Sequence, residues 1–477
     1  MPAKRRRQST PQAGNSTYAP VTRQLSVPVF AQPVPTEDPL SFRIPHPSDR
    51  PAYDEIDVLN KQHKIFPLPF DAPRGLPEPR LTLEAVFGGI AGASPDAKTA
   101  AAATRARIEK AGQIVFHAHG DCGSTKSVMS QNLVVDKMIG DFQEADPIEI
   151  PQFQLMLGDV VYSFGEAKYY YDQFYEPYRD YPAPILAAAG NHDGMVSPLA
   201  HAKSLSAFLR NFCADAFVVT PEALGLSRTA QIQPGVFFTL EAPFVRIVVL
   251  YSNTLEDPGV IADGVVAGSK IGDSQLKFLK TALGRVKQDK FTGALLFADH
   301  HPPYTYGHHG WSAGMLSQID DVCTETGVWP HAFLSGHAHN YQRFTRTRNQ
   351  DGTEIPYVVC GNGGHSPLQR LAKSGGQTMR APQVVQKATA RDDQVVIENY
   401  DDQNYGYLRV IATDTQLRIE FHPASDGRGT KAPDDSVTVD LATRRLTHYV
   451  ANDLGHPTVR DEVRTVRRQQ QRRRARS

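Results

Sequence analysis

This chain of 477 residues has few cysteines, no long apolar run and no net charge, and each shortage narrows what it can be. Its four cysteines, Cys122, Cys213, Cys323 and Cys360, are scattered without a CxxC pair, which speaks against a zinc ribbon and a disulfide scaffold. Buried free thiols are the expectation. No apolar stretch approaches the roughly 20 residues that span a bilayer. The basic start "MPAKRRRQST" is not followed by the apolar core of a secretory signal, because "LSVPVFAQPVP" is short and proline-rich. A cytoplasmic protein without a transmembrane segment is therefore expected. No internal repeat is visible.

The zero formal charge conceals an asymmetry. Lys4 to Arg7 form an unbroken basic run, and the closing stretch "RDEVRTVRRQQQRRRARS" sets eight arginines against Asp461 and Glu462. Taking both ends from the 51 basic and 51 acidic residues leaves 39 against 49 in the body. The two ends lack the apolar residues that offset ordering entropy, so they read as disordered. The basic ends suit a polyanion such as nucleic acid, or solvent alone. Four segments are expected: a flexible arm over 1–40, an extension over 41–110 whose helix packs on the core, a main body over 111–450, and a basic tail over 451–477. A composition of 40% hydrophobic and 21% charged residues suits a globular body.

Within the body, short apolar runs alternate with helical patterns. The runs are "QIVFHA", "FQLML", "PILAAA", "VRIVVLYS", "GALLFA", "HAFLS" and "PYVVC", with "YGYLRVIA" and "LRIEFHP" as closing strands. Between them, "TKSVMSQNLVVDKMIGDF", "EAKYYYDQFYEPYRD", "AKSLSAFLRNF", "DSQLKFLKTALGRVKQ" and "MLSQIDDVCTE" carry helical spacing, as does "SPDAKTAAAATRARIEKAG" upstream. This alternation predicts an α/β architecture with central sheets covered on both faces.

In such sheets ligands bind beyond the carboxyl ends of strands. The residues there are "HGDCG" (Asp121), "GDVVY" (Asp159, Tyr162), "GNHDG" (Asn191, His192, Asp193), "DHHPPYTYGHHG" (His300, His301, His308, His309) and "SGHAHN" (His337, His339). Singly, each reads as a turn or a hydrogen-bonded histidine. Five in succession offer carboxylates, imidazoles and an amide with no thiolate, which suits Fe, Mn or Zn. The set exceeds the needs of one tetrahedral ion, so two metals are expected, in the arrangement used for displacement at phosphorus.

In this order the motifs resemble those of the calcineurin-like metallophosphoesterases, and within them the purple acid phosphatases: GDxG as "GDCG", GDxxY as "GDVVY", GNH as "GNHD", HxPxY as "HHPPY" and GHxH as "GHAH". The resemblance covers about 110–425. It implies a four-layer αββα fold, two packed mixed β-sheets flanked by helices, with flexible extensions at both ends. Most of the superfamily opens with DxH, whereas position 123 here is Gly. The resemblance implies that Tyr162 replaces the missing donor; packing against the tyrosine-rich segment is the alternative.

Carried over, the first metal takes Asp121, Asp159, Tyr162 and His339, and the second takes Asp159, Asn191, His300 and His337. His300 keeps the HxPxY spacing, and its neighbour His301 is the competitor for that place. The cofactors implied are Fe(III) with a divalent Fe, Zn or Mn. His192 and His309, with His308 as a further candidate, are implied to contact phosphate and protonate the leaving group. Asp193 is expected to orient a neighbouring histidine. The activity implied is hydrolysis of small phosphate monoesters by hydroxide on a dinuclear centre. A phosphodiesterase acting on nucleotides, phospholipids or nucleic acid is the alternative, and a non-catalytic scaffold a third.

Overall fold

The computed structural model describes residues 24–25, 27–30, 38, 40–46, 50–61, 67–144, 146–196, 203–253, 255–371, 379–385, 391–425 and 433–450. The basic tail and most of the expected arm fall outside them. The alternating pattern builds two mixed sheets. Across the seven-stranded one the order is Arg445–Val450, Asp435–Asp440, Gln416–Pro423, Gly406–Thr413, Gln113–His119, Gln154–Leu157 and Ile185–Ala188. Across the nine-stranded one it is Gln383–Val384, Gln394–Asp401, Tyr341–Thr347, Glu354–Cys360, Ala332–Ser335, Ala294–Ala298, Val245–Val249, Phe238–Ala242 and Arg80–Thr82.

The parallel strands are apolar on both faces because both faces are covered. Ile114, Phe116, Leu155, Leu157, Leu186, Ile247, Leu296 and Leu334 meet between the sheets. On the opposite faces, Met156, Val248 and Phe297 belong to a second cluster with residues of the helices Met129–Gly140, Ser274–Gln288 and Ala313–Thr326. The result is the expected helix–sheet–sheet–helix layering. Among the described residues no helix is long and apolar enough to cross a membrane. All four cysteines are buried and unpaired.

The alanine-rich helix runs Pro95–Ala111, with Ser94 Oγ accepting from the Ala97 N–H and Gly112 closing it at φ 73°. The tyrosine-rich segment differs from its expected helix. It forms a short 3₁₀ turn, Ala167–Tyr169, and a wide π-type turn, Tyr171–Tyr175. Tyr169, Tyr170, Tyr175, Tyr178 and Tyr181 are all buried while Lys168 and Asp180 are exposed, so burial does not follow the 3.6-residue stripe of an amphipathic helix.

Side-chain and backbone bonds strap the N-terminal extension to the body on either side of one helix. The Arg43 and Ile44 N–H groups donate to Asp172, and the Arg74 guanidinium donates to the carbonyls of Cys213 and Gln233. Between these anchors the helix Arg50–Lys61 brings Tyr53 and Asp54 to the wall of a cleft.

Candidate metal centre

Strands from both sheets end at this cleft, among them Glu354–Cys360, whose following loop carries His365 and Gln369. Asp121 follows Gln113–His119, Asp159 follows Gln154–Leu157, and Asn191 with His192 follows Ile185–Ala188. From the other sheet come the loop after Val245–Val249, His300 after Ala294–Ala298, and His337 with His339 after Ala332–Ser335. Backbone bonds stitch the loops together: the Asp121 N–H donates to Gly158, and the Gly336 N–H to His300. The cleft has a volume of about 500 Å³.

His300 Nδ1 can only donate to the Leu157 carbonyl, 2.8 Å away, so the neutral ring presents a lone pair at Nε2. Facing that lone pair are two oxygen acceptors, Asn191 Oδ1 at 2.9 Å and Asp159 Oδ2 at 3.2 Å, and a second ring nitrogen, His337 Nδ1 at 3.2 Å, which accepts in one of its tautomers. Acceptors converge in this way only around a cation or a proton. Burial opposes charge on His300, but Asp159 and Asp121 outweigh it and raise its pKa to about 10, so a proton takes the place when no other cation does. His301 turns elsewhere: Nε2 lies 2.6 Å from the Leu255 carbonyl and Nδ1 2.7 Å from Ser252 Oγ. Asp159, His300 and His337 thus form one group with metal-ligand spacing.

Beside it, Tyr162 OH lies 2.9 Å from Asp121 Oδ1 and 3.3 Å from His339 Nε2, which is itself 3.4 Å from that carboxylate oxygen. Burial, then the Asp121 charge, holds the Tyr162 phenol well above its ordinary pKa, so without a cation it stays protonated. Burial and the Asp159 charge push Asp121 up to about 6 against the pull of His300. A side chain at Gly123 has no room, since its Cβ would lie 2.5 Å from the Val160 carbonyl and 3.2 Å from the Tyr162 ring. The tyrosine therefore occupies the space beside the first motif. The donor chemistry on both sides of Asp159 fits two hard or borderline cations.

On the cleft side, His192 donates from Nδ1 to the Ser163 carbonyl at 2.7 Å, leaving Nε2 3.9 Å from Asp159. His309 is buried with Nε2 2.9 Å from the Gln369 amide, whereas His308 is exposed at the rim. Asp193 does not take the histidine-orienting part expected of it. Its carboxylate accepts from the Gly190, Val160 and Val161 N–H groups and so clamps two site loops. Sequence reasoning missed Tyr53, Glu256, Asp257 and His365. His365 packs 4.0 Å from the Tyr162 ring, centroid to centroid, and Asp257 forms a second donor group with His309 and His337. Glu256 and Asp257 follow a strand end, which was the available signal.

One family model, calcineurin-like phosphoesterase, matches residues 132–341, which take in every motif above except the one holding Asp121. No curated protein matches the chain. Among solved structures it is similar to the purple acid phosphatase PPD1 from yellow lupin (Lupinus luteus) seeds, at 17% identity and a TM-score of 0.45, covering 69% of this chain and 54% of that one. It is also similar to GAP50, the anchor in the inner membrane complex of Plasmodium, at 14% identity and a TM-score of 0.44, covering 66% and 86%. A dimetal phosphatase from Danio rerio gives 11% identity and a TM-score of 0.37, covering 65% and 96%. The chain thus spans about half the length of the lupin structure.

Proposed function

We propose that this chain, which carries a calcineurin-like phosphoesterase domain and is a metal-dependent phosphoester hydrolase, acts on small phosphate monoesters. The observation that carries this reading is the convergence of acceptors on His300 Nε2, next to a second cluster around Asp121. Asp121, Asp159, Tyr162 and His339 would hold one ion, and Asp159, Asn191, His300 and His337 the other. When bound, two cations neutralise phosphate oxygens and activate water for in-line attack at phosphorus.

The chain's own residues supply the rest. His192 and His309 border the cleft beside the ion seats, within reach of phosphate oxygens and of a leaving oxygen that needs a proton. Lys126 and Thr125 line the same cleft and add positive charge and a hydroxyl. Its volume of about 500 Å³ supports a small ester over a polymer. Tyr162 beside Asp121 supports Fe(III) in the first seat, with Fe, Zn or Mn as the divalent partner.

The test is activity on an aryl phosphate against the bis-aryl phosphate, with a visible spectrum of the oxidised, iron-loaded protein. Faster monoester turnover and a broad phenolate-to-iron band, lost in Tyr162→Phe, are expected. A preference for the diester would overturn the substrate, and a colourless active enzyme would overturn the iron.

A further inference from the structure

The loop after the strand Val245–Val249 carries adjacent acids from outside the five motifs: Glu256 lines the cleft and Asp257 faces His337. Glu256 Oε2 accepts from Asn191 Nδ2 at 3.1 Å. A carboxylate can only accept, so this bond settles which way the Asn191 amide lies: NH₂ outward, Oδ1 toward His300 and Asp159. Tyr53 holds Glu256 in turn, its hydroxyl donating to the same oxygen while its ring stacks on His192 at 5.0 Å and 15°.

Asp257 acts on the other side. A cation in the second seat needs the lone pair of His337 Nδ1, which puts the ring proton on Nε2, and the carboxylate oxygen facing Nε2 is Asp257 Oδ1 at 3.5 Å. The second oxygen of Asp257 lies 3.7 Å from His309 Nδ1. Both of these buried ring nitrogens lack a hydrogen-bond partner within the ordinary distance. Such contacts tighten when substrate binds.

From this geometry we infer that Glu256 and Asp257 are positioning residues for the second cation. Glu256 turns the Asn191 oxygen inward, Asp257 sets the tautomer of His337 and steadies His309, and Tyr53 locks the pair from the helix Arg50–Lys61. That helix is then part of the active site, although it lies far outside the matched domain. The inference rests on the dinuclear reading above, and it concerns ligand orientation only.

The experiment uses the full-length chain. Zinc is titrated into the metal-stripped protein against a competing chelator, and kcat and KM for an aryl phosphate are measured at saturating metal. Glu256→Ala and Asp257→Ala should each weaken the second zinc by about 10–100-fold and leave the first nearly unchanged. Glu256→Gln should recover most of the loss, because an amide oxygen still accepts from Asn191. Tyr53→Phe, which removes one hydroxyl and keeps the stack, should lose a few-fold in the same direction; it carries the test if an alanine variant fails to fold. At saturating zinc the residual defect should fall on kcat more than on KM. Unchanged second-ion affinity in the variants, or a rise in kcat/KM that marks the acids as a barrier to substrate, would overturn the inference alone. A wild-type chain that binds no zinc would overturn the dinuclear reading and this with it.

Discussion

Asp121, Asp159 and His337 sit in the left-handed backbone region, at φ 55°, 53° and 70°, where a non-glycine residue costs of order 1–3 kcal/mol. Bonds between loops hold them: the Asp121 N–H donates to Gly158, the His337 N–H to the Asp121 carboxylate, and the His192 N–H to the Asp159 carboxylate. Asp159→Asn keeps that backbone, since asparagine tolerates it, and removes the charge proposed to serve both ion seats. The expected result is a folded protein with kcat lowered by at least about 100-fold and less bound metal, read by metal analysis and an aryl phosphate assay. Full metal content and full activity would remove Asp159 from the site. His309→Ala should lower kcat by about 10²–10⁴-fold on a poor alkyl leaving group and much less on a nitrophenyl one. Equal losses on the two substrates would deny it a role as proton donor.

Among the structural elements, the strands and long helices were legible because their periods are local: two residues along a strand, 3.6 along a helix. The tyrosine-rich turn was not, since most of its aromatic rings are buried whatever their place in the period. Close approach between loops was equally invisible. A Cβ on Gly190 would lie 2.1 Å from Asp159 Oδ1, so Gly190→Ala should displace that carboxylate and abolish metal uptake, seen by zinc titration. Away from the cleft, Arg346 ties the strand Tyr341–Thr347 to the helix Ala313–Thr326 through Asp320 at 2.6 Å, and also meets Asp393 at 2.7 Å. Because it is fully buried, Arg346→Ala takes from Asp320 and Asp393 their shared buried cation, and urea unfolding should show a loss of about 3–5 kcal/mol, least if Arg391 compensates Asp320.

At the level of the whole molecule, like-charged groups packed in one buried cleft make the metal-free chain less stable than the loaded one. Zinc at 100 times its dissociation constant should stabilise the fold by about 2.7 kcal/mol per site, seen as a higher unfolding midpoint that a chelator reverses. Acid acts through different groups. His331, far from the cleft, accepts the Leu295 N–H at Nδ1, and burial followed by the nearby Arg444 charge lowers its pKa to about 3 from 6.5. Between those values the unfolded chain binds a proton that the folded chain does not. Its contribution is therefore complete above pH 6.5 and shrinks as pH falls toward 3. His331→Gln should flatten the stability–pH slope over that window; an unchanged slope would mean that His331 titrates normally in the fold.

By itself the sequence determined the alternation of strands and helices and the chemistry set at each strand end, since a residue's distance along the chain from a strand is a local property. Only the tertiary structure decided which ring of the pair His300–His301 faces Asp159, because ring direction depends on Leu157 in one case and Leu255 in the other. It also decided that Tyr53 should meet Glu256, 203 positions away. Such contacts follow from how two sheets pack and where a strap crosses them, and no spacing along the chain encodes that meeting.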